Sequence, residues 1–477
     1  MNWGVVTPAL TVTILAFLVM LLDLVGTGKR GTAYFSLIGI AGALWVSISL
    51  WDRSGVGFNG MMALDRYTTF FHVIFLIGTG LTILLSIGYL EREGGNRGEY
   101  YVLLLLSTVG MMLMAGGTDL IIIFLGIELL SIAQYILVGF MRSRVTSNES
   151  ALKYFLLGAF ATGFLLYGIA LVYGTTGTTN LSGIADHLTD WRGRPSAVLL
   201  IGVVLLTVGF GFKVAAAPFH MWVPDVYEGA PTSITAFIST GPKAAGFAAF
   251  LRVFLMAFDQ LQPEWTGVIW GMAALTMTIG NLIALTQKNI KRMLAYSSIA
   301  HAGYVMVAVL AANDLGIGSA LFYLLAYTLM NIGAFAVVII VSRKGEPALN
   351  IADYAGLGFR YPLLGLAMAI FMLSLAGVPL TAGFVGKFYI FSAAITAGFT
   401  GLVIIGVINS LISVYFYLGV VVNMYMKEPS SDPEPIPMML YAFVVVILSA
   451  IGTIYLGIFP SQLIGLARAT VETLIRS

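Results

Sequence analysis

The sequence contains no cysteine and few charged residues, and both absences narrow what the protein can be. Without cysteine there are no disulfides, no thiolate metal ligands and no cysteine-bound iron–sulfur cluster, so any redox chemistry must take place elsewhere. Only 10% of the 477 residues are charged and 59% are hydrophobic, whereas about 25% are charged in an ordinary soluble domain. A water-soluble fold is excluded, and a formal net charge of +2 gives no reason to expect a nucleic-acid partner.

Long apolar runs follow one another along almost the whole chain, and about 20 such residues cross a hydrocarbon core as a helix. The first run, Val5 to Val25, has no basic residue before it and no small-residue cleavage site after it, which predicts a retained helix and not a signal peptide. The runs predict an all-α membrane protein, a single polytopic domain (1–477) of about fourteen transmembrane helices. These are 4–26, 32–50, 67–89, 99–116, 119–141, 150–173, 196–217, 233–258, 266–286, 293–312, 316–341, 363–396, 400–426 and 438–459.

Two of these helices are predicted to be interrupted beside a lysine. Pro218 follows Lys213 by five residues, and proline cannot donate the backbone hydrogen bond that a helix needs. A later span contains Gly377-Val378-Pro379 ahead of Lys387. Non-helical backbone at membrane depth is tolerated only where protein covers it or water enters, so each break suggests a hydrated pocket. The breaks are expected near 213–220 and 377–387.

Basic residues are distributed unevenly between alternate loops. One set of loops holds 13 of the 24 Lys and Arg residues, and the other set holds 6, namely Arg53, Arg66, Arg192, Arg194, Arg468 and Arg476. Cytoplasmic loops retain positive charge during insertion. Both termini are therefore expected outside, opposite the cytoplasm, which agrees with an even number of helices.

Short segments recur in the two halves of the chain. Ser131-Ile132-Ala133-Gln134 resembles Ser298-Ile299-Ala300-His301, and two further matches have offsets of 169 and 175 against 167 for this one. Five helices separate the copies, and an odd number inverts the second copy in the membrane. Inverted repeats with broken helices are a recurrent transporter architecture, although matches this short also arise by chance in apolar chains.

Several ionisable side chains are predicted at a depth where each costs about 2.5–3.5 kcal/mol, so they should face the bundle interior or a water-filled cavity. Glu128 is deep in its helix, and a neutral carboxyl that locks helix packing is the alternative interpretation. Snorkelling to the interface is an alternative for Arg252 and partly for Lys153. For His301, a core histidine with satisfied hydrogen bonds is equally compatible with the sequence. The candidate proton-transfer residues are Glu128, Lys153, Lys213, Lys243, His301 and Lys387.

Lysine suits proton transfer because a desolvated amine can release its proton near neutral pH, whereas a guanidinium cannot. Lowering a lysine pKa by about three costs roughly 4 kcal/mol, and a carboxylate at about 4 Å contributes about the same. Moving one charge through about 200 mV costs about 4.6 kcal/mol. Opening or closing one acid–lysine contact can therefore decide whether a lysine holds its proton against the membrane potential.

Five segments between residues 120 and 390 carry a resemblance to a known family. They begin with Phe124-Leu-Gly-Ile-Glu-Leu-Leu-Ser, Glu149-Ser-Ala-Leu-Lys-Tyr-Phe and Pro218-Phe-His-Met-Trp-Val-Pro-Asp-Val-Tyr-Glu-Gly-Ala-Pro. Asn289-Ile-Lys-Arg-Met-Leu-Ala-Tyr-Ser-Ser-Ile-Ala-His and Leu375-Ala-Gly-Val-Pro-Leu-Thr-Ala-Gly-Phe-Val-Gly-Lys follow. With these segments the chain resembles subunit N of the proton-pumping NADH:quinone oxidoreductases (complex I), within the antiporter-like membrane subunit family.

The resemblance implies fourteen helices with two inverted five-helix repeats, 99–258 and 266–426. Glu128 is similar to the acidic residue of the fifth helix, Lys153 to the sixth-helix lysine and Lys213 to the lysine of the broken seventh. Lys243 and His301 resemble members of a central hydrophilic axis. Lys387 resembles the twelfth-helix lysine that passes protons outward.

The resemblance also implies a non-redox subunit of a translocating enzyme. It would bind no cofactor and no metal, because FMN, the iron–sulfur clusters and quinone belong to other subunits. The energy of quinone reduction in those subunits would be transmitted to this chain as a change in electrostatics and hydration. Expected partners are subunits resembling K and M and the lateral helix of subunit L. The expected location is an energy-transducing membrane, either a bacterial plasma membrane or a thylakoid or organellar inner membrane.

Other interpretations remain open at this stage. Subunits M and L share the fold, although a chain ending near Ser477 has no room for the lateral helix of L. A sodium/proton antiporter subunit would use the same lysines, and neighbouring genes would distinguish it. A transporter of organic solutes would need asymmetric polar groups for its ligand, and a purely structural subunit would use its charges only to hold helices together.

Overall fold

The computed structural model describes residues 3–26, 29–190, 195–345, 349–428, 435–436, 439–471 and 473. Arg192, Arg194 and Arg476 of the loop comparison lie outside these ranges. The helices of the first half are α1 Thr7–Val25, α2 Lys29–Ser49, α3 Arg66–Glu93, α4 Gly98–Gly116, α5 Leu120–Val138, α6 Val145–Thr176, α7 Leu181–Asp190, α8 Ala197–Val214, α9 Val223–Gly229 and α10 Thr232–Arg252. Those of the second half are α11 Gln262–Ala284, α12 Ile290–Ala311, α13 Asp314–Val341, α14 Leu357–Arg360, α15 Pro362–Ala376, α16 Ala382–Thr396, α17 Thr400–Met426, α18 Leu440–Ile458 and α19 Ser461–Ala469.

The predicted number of membrane crossings is confirmed in the described part of the chain. Thirteen helices there are long and apolar enough to cross a membrane, and the shorter apolar helices α15 and α16 follow each other directly. Together these two make the crossing predicted as 363–396. A small hairpin of β1 Gly55–Gly57 and β2 Met62–Leu64, paired antiparallel with Gly55 opposite Leu64, adds to the otherwise helical fold.

Both predicted helix interruptions are present. Helix α8 ends at Val214 because Ala215 adopts a left-handed conformation (φ 65°), and the non-helical segment before α9 includes Pro218. Helix α15 ends at Ala376, where Gly377 (φ 91°) allows the left-handed turn that an L side chain disfavours. The second break closes before Lys387, which lies inside α16.

Two of the buried ionisable residues, Lys243 and His301, lie on the most buried helices of the bundle. The apolar window of α10 is 100% buried and those of α12 and α13 are 94% buried, whereas that of α6 is only 28% buried. Helix α6 exposes large apolar side chains such as Leu152, Phe155 and Phe160, which suits contact with lipid or another membrane protein. Central helices that no lipid reaches are the place where ionisable residues are tolerated.

The same backbone bridges recur 170 residues apart. Asp119 bridges Asn180 before α5, and Asn289 bridges Asn350 before α12. In each case the first residue of the bridge also caps the helix that follows. The Asp119 side chain accepts a hydrogen bond from the Ile121 N–H, and the Asn289 side chain accepts one from the Lys291 N–H. Five crossings separate the two bridges, so they lie on opposite faces of the molecule. The second face carries the loops 139–144 and 285–289 and the end of α9, and it is called the basic face below.

Candidate functional site

Lys213 is the penultimate residue of α8, at the edge of the first break, and only 6% of it is exposed. Its Nζ donates a hydrogen bond to Ser131 Oγ on α5 (2.9 Å), and Ser131 donates to the Ile127 carbonyl (2.5 Å). The charge of Glu128 lies within electrostatic range of the amine. The stem of Lys213 passes Gly246 of α10, where an added Cβ would lie 3.4 Å from Lys213 Cγ. Lys213 therefore connects α5, α8 and α10.

Glu128 lies midway along α5 and does not contact Lys153. Its Oε1 accepts a hydrogen bond from Thr162 Oγ1 on α6 (2.8 Å). Thr162 follows Lys153 by nine residues, which is about 13–14 Å along the helix axis, farther than a lysine side chain extends. Glu128 and Lys153 therefore do not form an ion pair with each other in the folded chain.

Lys153 instead belongs to a set of charges at the basic face, which we call the basic-face cluster. Its Nζ forms ion pairs with Glu149 (2.7 Å) and Asp225 (2.8 Å), and its side chain is 44% exposed. Arg292 of α12 binds both Asp225 (2.9 Å) and Glu228 (2.7 Å). Burial alone would raise the pKa of Asp225, but hydrogen bonds from Lys153 and Arg292 hold it below its usual value. The cluster comprises Glu149, Lys153, Asp225, Glu228 and Arg292 and links α6, α9 and α12.

Lys243 lies at the centre of α10, directly after the in-helix Pro242. Its Nζ donates to the Ser298 carbonyl (2.6 Å) and to Ser298 Oγ on α12, and it lies 5.9 Å from the centroid of the Tyr327 ring. A cation over an aromatic face in a desolvated site gains about 2 kcal/mol. Tyr227 shares a hydrogen bond with Ser298 Oγ (3.0 Å). Lys243 is thus held by hydroxyl, carbonyl and ring groups.

His301 lies between two of the buried lysines. It lies one helical turn after Ser298, which accepts a hydrogen bond from Lys243, and one turn before Tyr304, whose ring centroid is 4.8 Å from Lys387 Nζ. Its Nδ1 shares a hydrogen bond with Tyr323 and its Nε2 with Tyr417 (2.9 Å). Both ring nitrogens thus have a phenol partner, which positions the imidazole as a link between the lysines.

The amine of Lys387 is solvated by backbone carbonyls at the second helix break and by a hydroxyl group. Its Nζ donates to the carbonyls of Leu375 (3.0 Å) and Ala376 (3.1 Å) and to Ser410 Oγ (3.0 Å). The two carbonyls are the last of α15 and have no partner within that helix because it stops there; they also form its electronegative end. The break is therefore what allows a cation to lie at this depth.

The structure also shows an ion pair that the sequence did not suggest, and the snorkelling interpretation of Arg252 is wrong. Arg252 is 0% exposed, and its Nη2 contacts both oxygens of Asp65 (2.8 and 3.1 Å) and Thr68 Oγ1 (2.9 Å). Its guanidinium lies 4.9 Å from the centroid of the Tyr67 ring. The two partners are 187 residues apart in sequence, so no local signal joins them. Lys291 lies before the predicted helix 293–312, but in the structure it is buried in the first turn of α12.

No metal-binding group emerges from the described ranges, in which no three His, Asp or Glu side chains are arranged to hold a metal ion. The polar centre described above consists instead of amines, the His301 imidazole, phenols, hydroxyls and the Glu128 carboxyl group. A helical bundle with buried amines at two interrupted helices defines a polytopic membrane protein with an internal ionisable axis.

Comparison with known proteins identifies the family. Residues 117–413 match the family model described as NADH:quinone oxidoreductase/Mrp antiporter, TM. NADH-quinone oxidoreductase subunit N of Trichlorobacter lovleyi is 51% identical, and the alignment covers 99% of this chain and 97% of that protein. The chain belongs to the NADH:quinone oxidoreductase and Mrp antiporter membrane-subunit family, in its subunit N branch.

Solved structures agree with this assignment. A chain of respiratory complex I from Thermus thermophilus is 35% identical with a TM-score of 0.83, covering 97% of this chain and 100% of that one. A chain of the Mrp complex from Dietzia is 20% identical with a TM-score of 0.89, covering 100% and 98%. At that identity the Mrp likeness concerns the fold alone.

Proposed function

We propose that this chain is a proton-translocating, antiporter-like subunit of the membrane arm of respiratory complex I, coupled to quinone reduction in other subunits. The observation that carries the proposal is the series of buried Lys213, Lys243, His301 and Lys387 across the centre of the bundle. Each amine is solvated by neutral oxygens, and in the described part of the chain Glu128 is the carboxylate that lies near one of them, Lys213. Amines held in this way can exchange protons near neutral pH.

The contacts suggest how protons move along the axis. Glu128 stabilises the protonated form of Lys213, so a change in their separation alters the proton affinity of the amine. Lys243 and Lys387 both lie close enough to His301 to act on its ring electrostatically. In the proposal, His301 passes protons between Lys243 and Lys387. The amine of Lys387 is the outward donor of the proposal.

The proposal includes two inverted five-helix halves, 99–258 and 266–426. The capped bridges that recur 170 residues apart on opposite faces support this division. In this arrangement the break beside Lys213 opens toward the basic face. The break beside Lys387 serves the opposite direction, as inverted repeats require.

The wider assignment follows from the family. As a non-redox part of the enzyme, the chain would hold no cofactor of its own, with FMN, iron–sulfur clusters and quinone in other subunits. Its neighbours would resemble subunits K and M, with the lateral helix of subunit L along its side. We place it in an energy-transducing membrane with the basic face toward the cytoplasm and both termini outside.

The experiment replaces Lys213 by alanine and by arginine in the assembled complex, reconstituted in proteoliposomes. Alanine removes the exchanging group, and arginine keeps the charge but does not release its proton, so both variants should lose most proton pumping and coupled quinone reduction. Lys387→Ala and Lys387→Arg should behave alike. Lys288→Ala, an exposed lysine, is the control. Full pumping in Lys213→Arg would refute proton exchange at that amine, and strict dependence on Na⁺ would favour a sodium/proton antiporter.

A further inference from the structure

Between the basic-face cluster and Lys213 lies a buried amide that is only half satisfied. Tyr154 OH of α6 donates to Gln134 Oε1 of α5 (2.8 Å), and the two residues are 1% and 0% exposed. The other polar atom of the amide, Nε2, has no hydrogen-bond partner among the described residues. Turning the amide over only exchanges which atom is unpaired. A buried polar group without a partner costs about 1–3 kcal/mol, so the atom marks a water-binding position.

This amide is one helical turn from the group that holds Lys213. Gln134 follows Ser131 by three residues, about 4.5 Å along the same face of α5. Ser131 Oγ accepts the hydrogen bond from the Lys213 amine. One water spans such a distance between an amide and a hydroxyl or amine.

On its other side, Tyr154 adjoins the basic-face cluster. It is the next residue after Lys153, and Ser150, one turn earlier, donates to the Asp225 carbonyl (2.8 Å). Its ring stacks on Trp222 at 4.5 Å, and Trp222 Nε1 donates to the carbonyl of Phe212, the residue before Lys213 (3.1 Å). Tyr154 therefore stands between the charged surface and the broken end of α8.

We infer that Gln134 and Tyr154 bind a water that carries protons from the basic face to Lys213. The inference rests on the proposed function and adds its inlet. At each step one O–H bond breaks as the next forms, and the last transfer makes an N–H bond on the Lys213 amine; no electron moves. Ionised Asp225 does not carry the proton; its ion pairs keep Lys153 and Arg292 away from the water that does. Gln134 and Tyr154 are positioning residues, since they act through the water.

The test compares Gln134→Leu and Gln134→Ser in the assembled complex in proteoliposomes. Leucine has a similar size but offers no hydrogen bond. We expect pumping by this variant to become limited by proton supply, with the rate falling about tenfold per pH unit as the pH at the basic face rises. Wild-type pumping should change little over the same range. Serine, which leaves room for water and a hydroxyl, should restore at least half of the rate.

Matched controls separate an inlet from a structural role. Tyr154→Phe should show the same pH-limited rate, whereas Tyr101→Phe, which removes another buried phenol, should not. A loss of rate that is equal at all pH values would indicate structural damage and would overturn the inference. So would full activity of Gln134→Leu at high pH. If Lys213→Ala still abolishes pumping in that case, the inlet is wrong and the proposed function stands; if Lys213→Ala pumps normally, the proposed function fails.

Discussion

Arg252 and Asp65 form a buried ion pair whose disruption should cost more stability than most single substitutions. Arg252→Met leaves the Asp65 carboxylate 4% exposed and without its cation. Removing one partner of a buried pair costs about 3–5 kcal/mol, because the remaining charge is uncompensated. Replacing both partners with apolar residues of similar size is often neutral. At about 1.4 kcal/mol per tenfold change, the single variant should lower the folded-to-unfolded ratio by about a thousandfold.

The measurement is a double-mutant cycle. The free energy of unfolding of each variant is obtained by denaturant titration of the purified complex in detergent. The cycle uses Arg252→Met, Asp65→Asn and the two together; asparagine removes the charge but keeps an oxygen for the N-cap hydrogen bond from the Thr68 N–H. We expect each single variant to lose about 3–5 kcal/mol and the double variant to recover more than half of the summed loss. Arg66→Met is the matched control, since its pair with Asp52 lies nearby but is solvent-exposed (37% and 79%) and should contribute at most about 1 kcal/mol. A coupling energy below about 1 kcal/mol between Arg252 and Asp65 would refute the reasoning.

Two further predictions concern the basic-face cluster and the helix contacts that recur 170 residues apart. Since the pKa of Asp225 is held below its usual value, the stability that its ionised form contributes should be constant from neutral pH down to about 4 and disappear below that. The test compares the thermal unfolding midpoints of wild type and Asp225→Asn across pH. A difference between them that vanishes already at pH 6 would contradict the prediction. An added Cβ at Gly110 or at Gly280 would lie 2.6 Å from the backbone nitrogen of Leu130 or of Ala300. Valine at either position should therefore force the neighbouring helices apart and reduce assembly, measured as the amount of chain retained in the complex. Gly267→Ala, with open space around the glycine, should be neutral. An unaffected Gly280→Val variant would show that the close approach is not required.

Sequence reasoning located the crossings and both breaks because those signals are local. Proline removes a backbone donor and glycine permits a left-handed turn wherever they occur, so Pro218 and Gly377 indicated where α8 and α15 end. The short helices α7 and α19 and the three-residue strands near Gly55 went unpredicted. They are too short or too polar to stand out from a loop, and tertiary contacts determine whether they form.

The site residues were harder to arrange than to find. Any buried lysine stands out in an apolar run, but its partner is a matter of packing. Lys153 contacts Asp225, 72 residues later, although Glu128 is the nearest carboxylate at membrane depth before it in the chain. The phenols around His301 also gave no signal, because tyrosine is an ordinary component of an apolar helix.

By itself, the sequence determined that the chain crosses the membrane about fourteen times, where two helices break and that Lys213, Lys243, His301 and Lys387 lie in the interior, since hydrophobicity and backbone chemistry act over a few neighbouring residues. Only the tertiary structure decided which charges meet. It separated Lys153 from Glu128, paired Arg252 with Asp65 and set Lys387 against the terminal carbonyls of α15. Those contacts depend on the register and rotation of helices far apart in the chain, and these follow from the packing of the whole bundle.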